Sequence, residues 1–237
     1  MKEKKIERLS DYVKFIEDNC EACDFLYRGQ PVDKPLLPKL ARPEVRLTGS
    51  ILEAEKDMLD EFKDRSLPYL DKIPDNPWDW LSLAQHHGLL TRLLDWTENP
   101  LAALWFVVKE PVQSPDNGVV WIFHVKSKDY ADIEKEDPFQ GEKTKVFSPR
   151  DVSERIVAQQ AIFTVHKYIK SEKRFIPLER NLLYKKYLTK IMIPNNAFSI
   201  LRYDLDKCTI NSSTLFPDMD GLCKYIVWCN AKYTDEK

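Results

Sequence analysis

Gln85-His86-His87-Gly88-Leu89-Leu90-Thr91-Arg92-Leu93-Leu94-Asp95-Trp96-Thr97, followed by Glu98 and Asn99-Pro100, holds a helix end and a second helix start in one short stretch. Trp78, Trp80, Leu83, Ala84 and His87 lead into it at helical spacing. Gly88 suits the left-handed residue that closes such a helix, because it carries no Cβ to clash there. At the far end, Asn99-Pro100 is a helix start, with Pro at the first helical position where no amide hydrogen is needed. The residues that follow, Leu101 to Val108, are apolar nearly all round and call for a buried helix. Between the two helices, polar groups alternate with apolar ones more densely than in a core strand. Two adjacent imidazoles at a helix end cannot both face the core. Thr91, Arg92 and Asp95 cannot all point one way along an extended chain. Arg92 and Asp95 either pair with each other or face a ligand. His86 and His87 lack the i, i+4 spacing of a helical metal site, so no metal is expected there.

Upstream, Phe25-Leu26-Tyr27 reads as a short aromatic strand. Arg28 stands where it ends, and Gly29 follows, which would let backbone approach a ligand closely. An arginine so placed either forks hydrogen bonds to a phosphate or ribose, or pairs with a carboxylate across the domain. A first helix is expected from Ser10, with Tyr12, Val13 and Ile16 on one face. Residues 31–46 hold four prolines and read as irregular loop. Ile51, Leu52, Met58, Leu59 and Phe62 suggest an amphipathic helix over 51–62. Strands are expected at Gly118–Val125, Ile162–Tyr168, Lys190–Ile193 and Ile200–Tyr203. The acidic stretch Tyr130 to Glu142 is expected to be a surface excursion.

The 237 residues are 43% hydrophobic and 31% charged, enough for a real core beneath an ordinary polar surface. Six glycines against fifteen prolines imply stiff loops. A net charge of −2 disfavours a globally basic nucleic-acid binder. Residues 165–190, however, hold eight Lys/Arg against two Glu, interleaved with Tyr168, Phe175, Tyr184 and Tyr187. That stretch is either a solvated face or a local nucleic-acid contact. No apolar run approaches the roughly 18 residues of a membrane span, and Met1-Lys2-Glu3-Lys4-Lys5 does not read as a signal peptide. Five cysteines, Cys20, Cys23, Cys208, Cys223 and Cys229, suit reduced thiols and a cytoplasmic setting. Cys20-x-x-Cys23 has no second pair at zinc-finger spacing.

Two further stretches carry candidate chemistry. Ser153 to Thr164 offers Glu154 as an acid or base and Gln159 as an amide donor, against a reading as surface charge. Leu215-Phe216-Pro217-Asp218-Met219-Asp220-Gly221 is a turn into a helix whose aspartates either cap it or hold a cation. Walker, GxGxxG, GxSxG and HExxH patterns are absent from the sequence.

Taken together, these segments resemble the FRG-domain family, named for an aromatic-Arg-Gly motif. Tyr27-Arg28-Gly29-Gln30 is similar to that motif, and Gln85-His86-His87-Gly88 through Thr97 with Asn99-Pro100 to the family's longest signature. Arg155, Gln159, Gln160 and Phe163-Thr164 resemble a third block, with Ala161 where Gly is expected. Leu215-Phe216-Pro217-Asp218 with Asp220-Gly221 resembles the closing block. The resemblance implies a bacterial or phage setting and runs from about residue 20 to 225, within one domain spanning 1–237. The helix at 10–20 and the tail at 226–237 are expected at its periphery.

A second likeness concerns toxin-type ADP-ribosyltransferases, in the order of a Tyr-Arg strand, a His/Gly turn into a Thr-bearing strand and helix, and a later glutamate segment. It implies an α+β fold with a twisted or split, mostly antiparallel sheet flanked by helices. It also implies an NAD-dependent transferase or glycohydrolase of toxin or anti-phage type, with NAD as substrate, no metal, and a macromolecular acceptor. Glu154, Gln159 and His87 become the candidate catalytic side chains. Tyr27, Arg28, Gly29, Gln85, His86, Thr91, Arg92 and Asp95 become the candidate cofactor contacts. The sequence lacks the Ser-Thr-Ser triplet and the Glu-x-Glu or Gln-x-Glu pair of that group. The alternatives are a non-catalytic module binding nucleotide, nucleic acid or protein, and a metal-dependent phosphodiester enzyme in which Asp95, Asp218 and Asp220 converge.

Overall fold

Val119, Val120, Trp121, Ile122 and Phe123 are buried at consecutive positions, so the strand that carries them must be covered on both faces. A computed structural model of the protein describes residues 2–21, 24–42, 49–112, 115–149 and 157–236. In it this run forms β4 (Gly118–His124), near the middle of a seven-stranded sheet. The other strands of that sheet are β1 (Lys2–Lys5), β2 (Phe25–Gln30), β3 (Leu93–Thr97), β5 (Lys145–Phe147), β6 (Ala161–Val165) and β9 (Leu188–Ile193). They lie in the order β1-β9-β4-β2-β3-β6-β5. β1 runs parallel to β9, and every other pairing in this sheet is antiparallel. A two-stranded hairpin, β7 (Tyr168–Ile169) with β8 (Arg174–Phe175), stands apart. The protein is α+β with a mostly antiparallel sheet.

Helices α1 (Leu9–Asn19), α4 (Pro100–Val108) and α5 (Phe198–Lys207) cover one face. Their core joins Tyr12, Leu104, Val107, Phe198 and Leu201 to Tyr27, Ile122 and Ile191 of the sheet. The other face carries Leu26, Trp96, Trp121 and Phe123 beneath Leu36, Leu178 and Tyr184. A third cluster packs α2 (Ile51–Ser66) and α3 (Pro77–His86) against β3, β5 and β6 through Leu59, Trp78, Leu81, Leu93, Phe147 and Phe163. α4 is started as expected, with Asn99 Oδ1 accepting from the amides of Leu101 and Ala102 at 2.9 and 3.2 Å. It crosses β2 at Gly29. A Cβ built there would overlap the carbonyl oxygen of Ala103 and lie 2.9 Å from the Ala103 carbonyl carbon. The close approach that this glycine permits is therefore to α4, not primarily to a ligand.

Several expectations need correction. Residues 200–203 are helical, inside α5, whose buried positions Phe198, Leu201, Arg202 and Leu205 follow a 3.6-residue period while Ile200 is exposed. The first helix starts at Leu9 with Arg8 as an uncapped N-cap, and Phe15, not Val13, shares its buried face with Tyr12. The expected strand 162–168 splits, because β6 ends at Val165 and β7 starts at Tyr168. The acidic excursion lies mostly at the surface as expected, with one tie to the core where Trp78 Nε1 donates to the Glu136 carbonyl at 2.8 Å. The N-terminal helix is tied in as well, since the fully buried Tyr12 donates its hydroxyl to the Pro100 carbonyl. In the tail, Asp235 and Glu236 hold the buried Arg202. The charged N-terminal residues, for which no strand was expected, form the sheet's β1 edge, where charge discourages further pairing. No helix among the described residues is long and apolar enough to cross a membrane.

The feature that places the site is a break in the sheet. β2 pairs with β4 at all six positions from Phe25 to Gln30, and β3 pairs with β6 from Leu93 to Thr97. Between β2 and β3 the ladder has one paired position, Tyr27 with Thr97. Beyond it the two strands part, and a cleft opens along the seam.

Candidate functional site

Where the ladder stops, Arg28 takes over as the tie between the strands. Its Nη1 donates to the main-chain carbonyl of Asp95 at 2.7 Å, in place of the absent backbone bonds. The same nitrogen is 3.5 Å from Asp95 Oδ2, a longer and weaker contact. Arg28 Nε is buried without a hydrogen-bond partner among the described residues. Burial lowers the pKa of the guanidinium, Asp95 acts against that, and the nearby Arg42 adds to the lowering. The charge also reaches His166. Burial and then Arg28 push this imidazole down to about 3, so it is neutral, and its Nε2 meets Thr164 Oγ1 at 3.2 Å.

The other wall is the end of α3. Asn76 caps its start by accepting from the amides of Trp78 and Asp79. Gly88, at φ +90°, closes it. The Leu89 amide reaches back to the Ala84 carbonyl and the Gly88 amide to Gln85, the double bond of a Schellman motif. This turn brings Gln85, His86 and His87 to the cleft. The two imidazoles meet edge to face at 4.9 Å, and His87 is exposed. From there the chain drops into β3. Thr91 is buried and donates its hydroxyl to Gln85 Oε1 at 2.6 Å, and Gln85 Nε2 donates to Asp95 Oδ1 at 3.1 Å.

The resulting cleft has a volume of about 530 Å³. Arg28 and Lys39 bring positive charge, and Asp95 brings a carboxylate. Phe106 supplies partly exposed aromatic surface, the buried Tyr27, Trp96 and Phe163 back the cleft, and Gly29, Gln85 to Leu89, Thr97, Gln159 and Ala161 complete the lining. Sequence reasoning missed Lys39 and Phe106. Lys39 sits in a short 3-10 turn of the proline loop, and Phe106 on a helix apolar nearly all round, so neither carried a signal.

Of the expected cofactor contacts, Tyr27, Arg28, Gly29, Gln85, His86 and Asp95 line the cleft, and so does His87. Thr91 acts one step back, through Gln85. Arg92 is a correction, because it is buried and points to Glu55, not to Asp95 or the cleft. Its Nε lies 3.0 Å from both Glu55 oxygens, its Nη2 lies 2.5 Å from Oε2, and its own amide donates to Oε1. Nη1 donates to the carbonyls of Pro138 and Phe139. Gln159 lines the cleft, but its amide nitrogen is engaged with the Leu215 carbonyl at 3.0 Å. Thr97 Oγ1 donates to the Gln159 carbonyl and accepts from the Asn99 amide, joining β3 to the block before β6. Glu154, Arg155 and Cys23 lie outside the described residues.

The closing block is structural where it is described. Asp218 caps α6 (Met219–Asn230) by accepting from the Gly221 amide at 2.7 Å. A Cβ on Gly221 would overlap the Phe216 carbonyl. Asp95, Asp218 and Asp220 do not converge: among the described residues no three His, Cys, Asp or Glu side chains gather as metal ligands would. Residues 167–190 do not line the cleft. Lys190 is committed to Asp33, and Arg174 to Glu172.

Comparison with curated proteins and with solved structures gave no match. The family model of the FRG domain matches residues 23–116. The match ends before the blocks around Gln159 and Asp218, and it takes in β2, α3, β3 and α4, with both walls of the seam. The stretch that carries Arg28, the α3 turn and Asp95 lies within the match to the FRG domain.

Proposed function

We propose that the cleft binds NAD or a closely related nucleotide, and that the protein is an NAD-consuming ADP-ribosyltransferase or glycohydrolase of the effector type. The observation that carries this reading is Arg28. Its guanidinium is anchored through one nitrogen to a main-chain carbonyl, and its buried Nε has no partner among the described residues. Burying a donor unpaired is costly, and an anionic ligand would relieve the cost. Lys39 adds charge, and the half-buried Phe106 adds aromatic surface of the kind that stacks on a base or a nicotinamide ring. The volume falls within the roughly 300–1,000 Å³ of small-molecule sites. The seam between β2 and β3 in a mostly antiparallel sheet suits the split-sheet ADP-ribosyltransferase arrangement that the order of motifs suggests.

A binding module without turnover would use the same cleft. It is favoured by one observation, the engagement of Gln159 with Leu215, which commits one of its two amide hydrogens to a structural bond.

The test is release of nicotinamide from NAD by the purified protein, followed over hours with and without candidate acceptor proteins. Release above the uncatalysed background is the expected result. Saturable NAD binding with no release under any acceptor condition would establish the binding module instead.

A further inference from the structure

The Asp95 carboxylate receives one hydrogen bond, from Gln85 Nε2, and that donor is itself held in place. The Leu93 amide donates to Thr91 Oγ1 at 3.1 Å, which turns the Thr91 hydroxyl hydrogen toward Gln85 Oε1. With its oxygen so engaged, the Gln85 amide must present its NH2 to Asp95 Oδ1. This relay fixes the carboxylate's orientation while leaving the side chain 54% exposed in the cleft. The carboxylate also serves as counter-charge to Arg28, whose Nη1 lies 3.5 Å from Oδ2, and the relay through Gln85 is additional to that pairing. The short bond from Arg28 goes to the Asp95 main-chain carbonyl, and would survive any change of the Asp95 side chain. Among the described lining residues Asp95 is also the cleft's one carboxylate.

We propose that Asp95 is the carboxylate facing the ribose next to nicotinamide, with Gln85 as its positioning residue; this rests on the NAD reading above. In the step it serves, the C1′–N1 bond breaks and its electron pair leaves with nicotinamide. The ribose carbon is left as an oxocarbenium-like centre whose positive charge the fixed carboxylate stabilises. Water, or an acceptor hydroxyl, then forms the new C1′–O bond. The proton it loses passes to Asp95 and on to solvent.

The experiment compares wild type, Asp95→Asn and Gln85→Met in NAD titration, nicotinamide release and thermal unfolding. For Asp95→Asn the expected result is NAD affinity within about threefold of wild type, an unfolding temperature close to wild type, and release slowed about 100-fold or more. Gln85→Met is expected to lower kcat about tenfold with KM nearly unchanged, the split expected of a group acting only through Asp95. Asp95→Asn turning over within threefold of wild type would overturn the assignment while leaving the NAD reading intact, and attention would pass to Glu154. A wild type that neither binds nor cleaves NAD would bring down the NAD reading, and this assignment with it.

Discussion

Replacing Arg92 by leucine is expected to destabilise the protein by about 3–5 kcal/mol, because it strands the Glu55 carboxylate inside the core. Both side chains of this pair are almost fully buried, at 4% and 2% exposure. The guanidinium satisfies both carboxylate oxygens and two main-chain carbonyls, and its face lies 4.7 Å from the Phe139 ring. Through these contacts it ties α2, β3 and the 136–140 segment together. After Arg92→Leu, Glu55 would keep one donor, the residue 92 amide. At about 2–4 °C per kcal/mol for a chain of this size, the unfolding temperature should fall by roughly 6–20 °C. Removing both charges, as Glu55→Met with Arg92→Leu, should recover a large part of the loss. NAD affinity per folded molecule should hardly change, since the pair does not line the cleft. A loss below about 1 kcal/mol, or a selective loss of NAD affinity in a stable variant, would return Arg92 to the ligand-binding role expected for it from sequence.

The second large effect is expected at Gly29. An alanine there would place its Cβ on the Ala103 carbonyl oxygen and 3.1 Å from Phe106 Cβ. Neither neighbour is a flexible side-chain end, so α4 itself would have to move. α4 is held by the Asn99 cap and buried over most of its surface, with Ala102, Ala103 and Leu104 all fully covered. Overpacking of this kind costs about 1–3 kcal/mol, and a clash with backbone belongs at the upper end. Any displacement of α4 also moves Phe106 and strains β2 beside Arg28, so Gly29→Ala should weaken nucleotide binding as well as stability. Chemical unfolding would check this, and a change under about 0.5 kcal/mol would show that α4 yields freely.

Local signals in the sequence were read correctly where a residue type has a single physical use. Gly88 closes α3 at positive φ, and Asn99-Pro100 opens α4 with the expected side-chain cap. The helix 101–108, apolar nearly all round, is buried as its composition demands. Tertiary partners were less legible. Arg92 and Asp95 are three residues apart and of opposite charge, which suggested a mutual pair. Positions three apart along an extended chain face opposite sides, and Arg92 meets Glu55 while Asp95 lies beside Arg28. A hint was present in α2, where Glu55 falls on the apolar stripe with Leu52 and Leu59, and a carboxylate so placed requires a buried cation. At 200–203 the β-branched Ile200 favours a strand locally, and the 3.6-residue spacing of Phe198, Leu201 and Leu205 decides for helix. The seam could not be read at all. A ladder's interruption depends on two strands more than 60 residues apart, and no residue in either one announces it.

The measurement that bears most directly on the cleft is calorimetric titration of NAD into wild type and Arg28→Ala, each first shown to be folded. A charge-assisted hydrogen bond of the kind Arg28 offers is worth about 1.5–3 kcal/mol, or roughly 10- to 150-fold in affinity. Saturable binding by wild type, weakened by at least tenfold in Arg28→Ala, is the predicted result. No binding by wild type at millimolar NAD, or equal affinity in the two proteins, would contradict it.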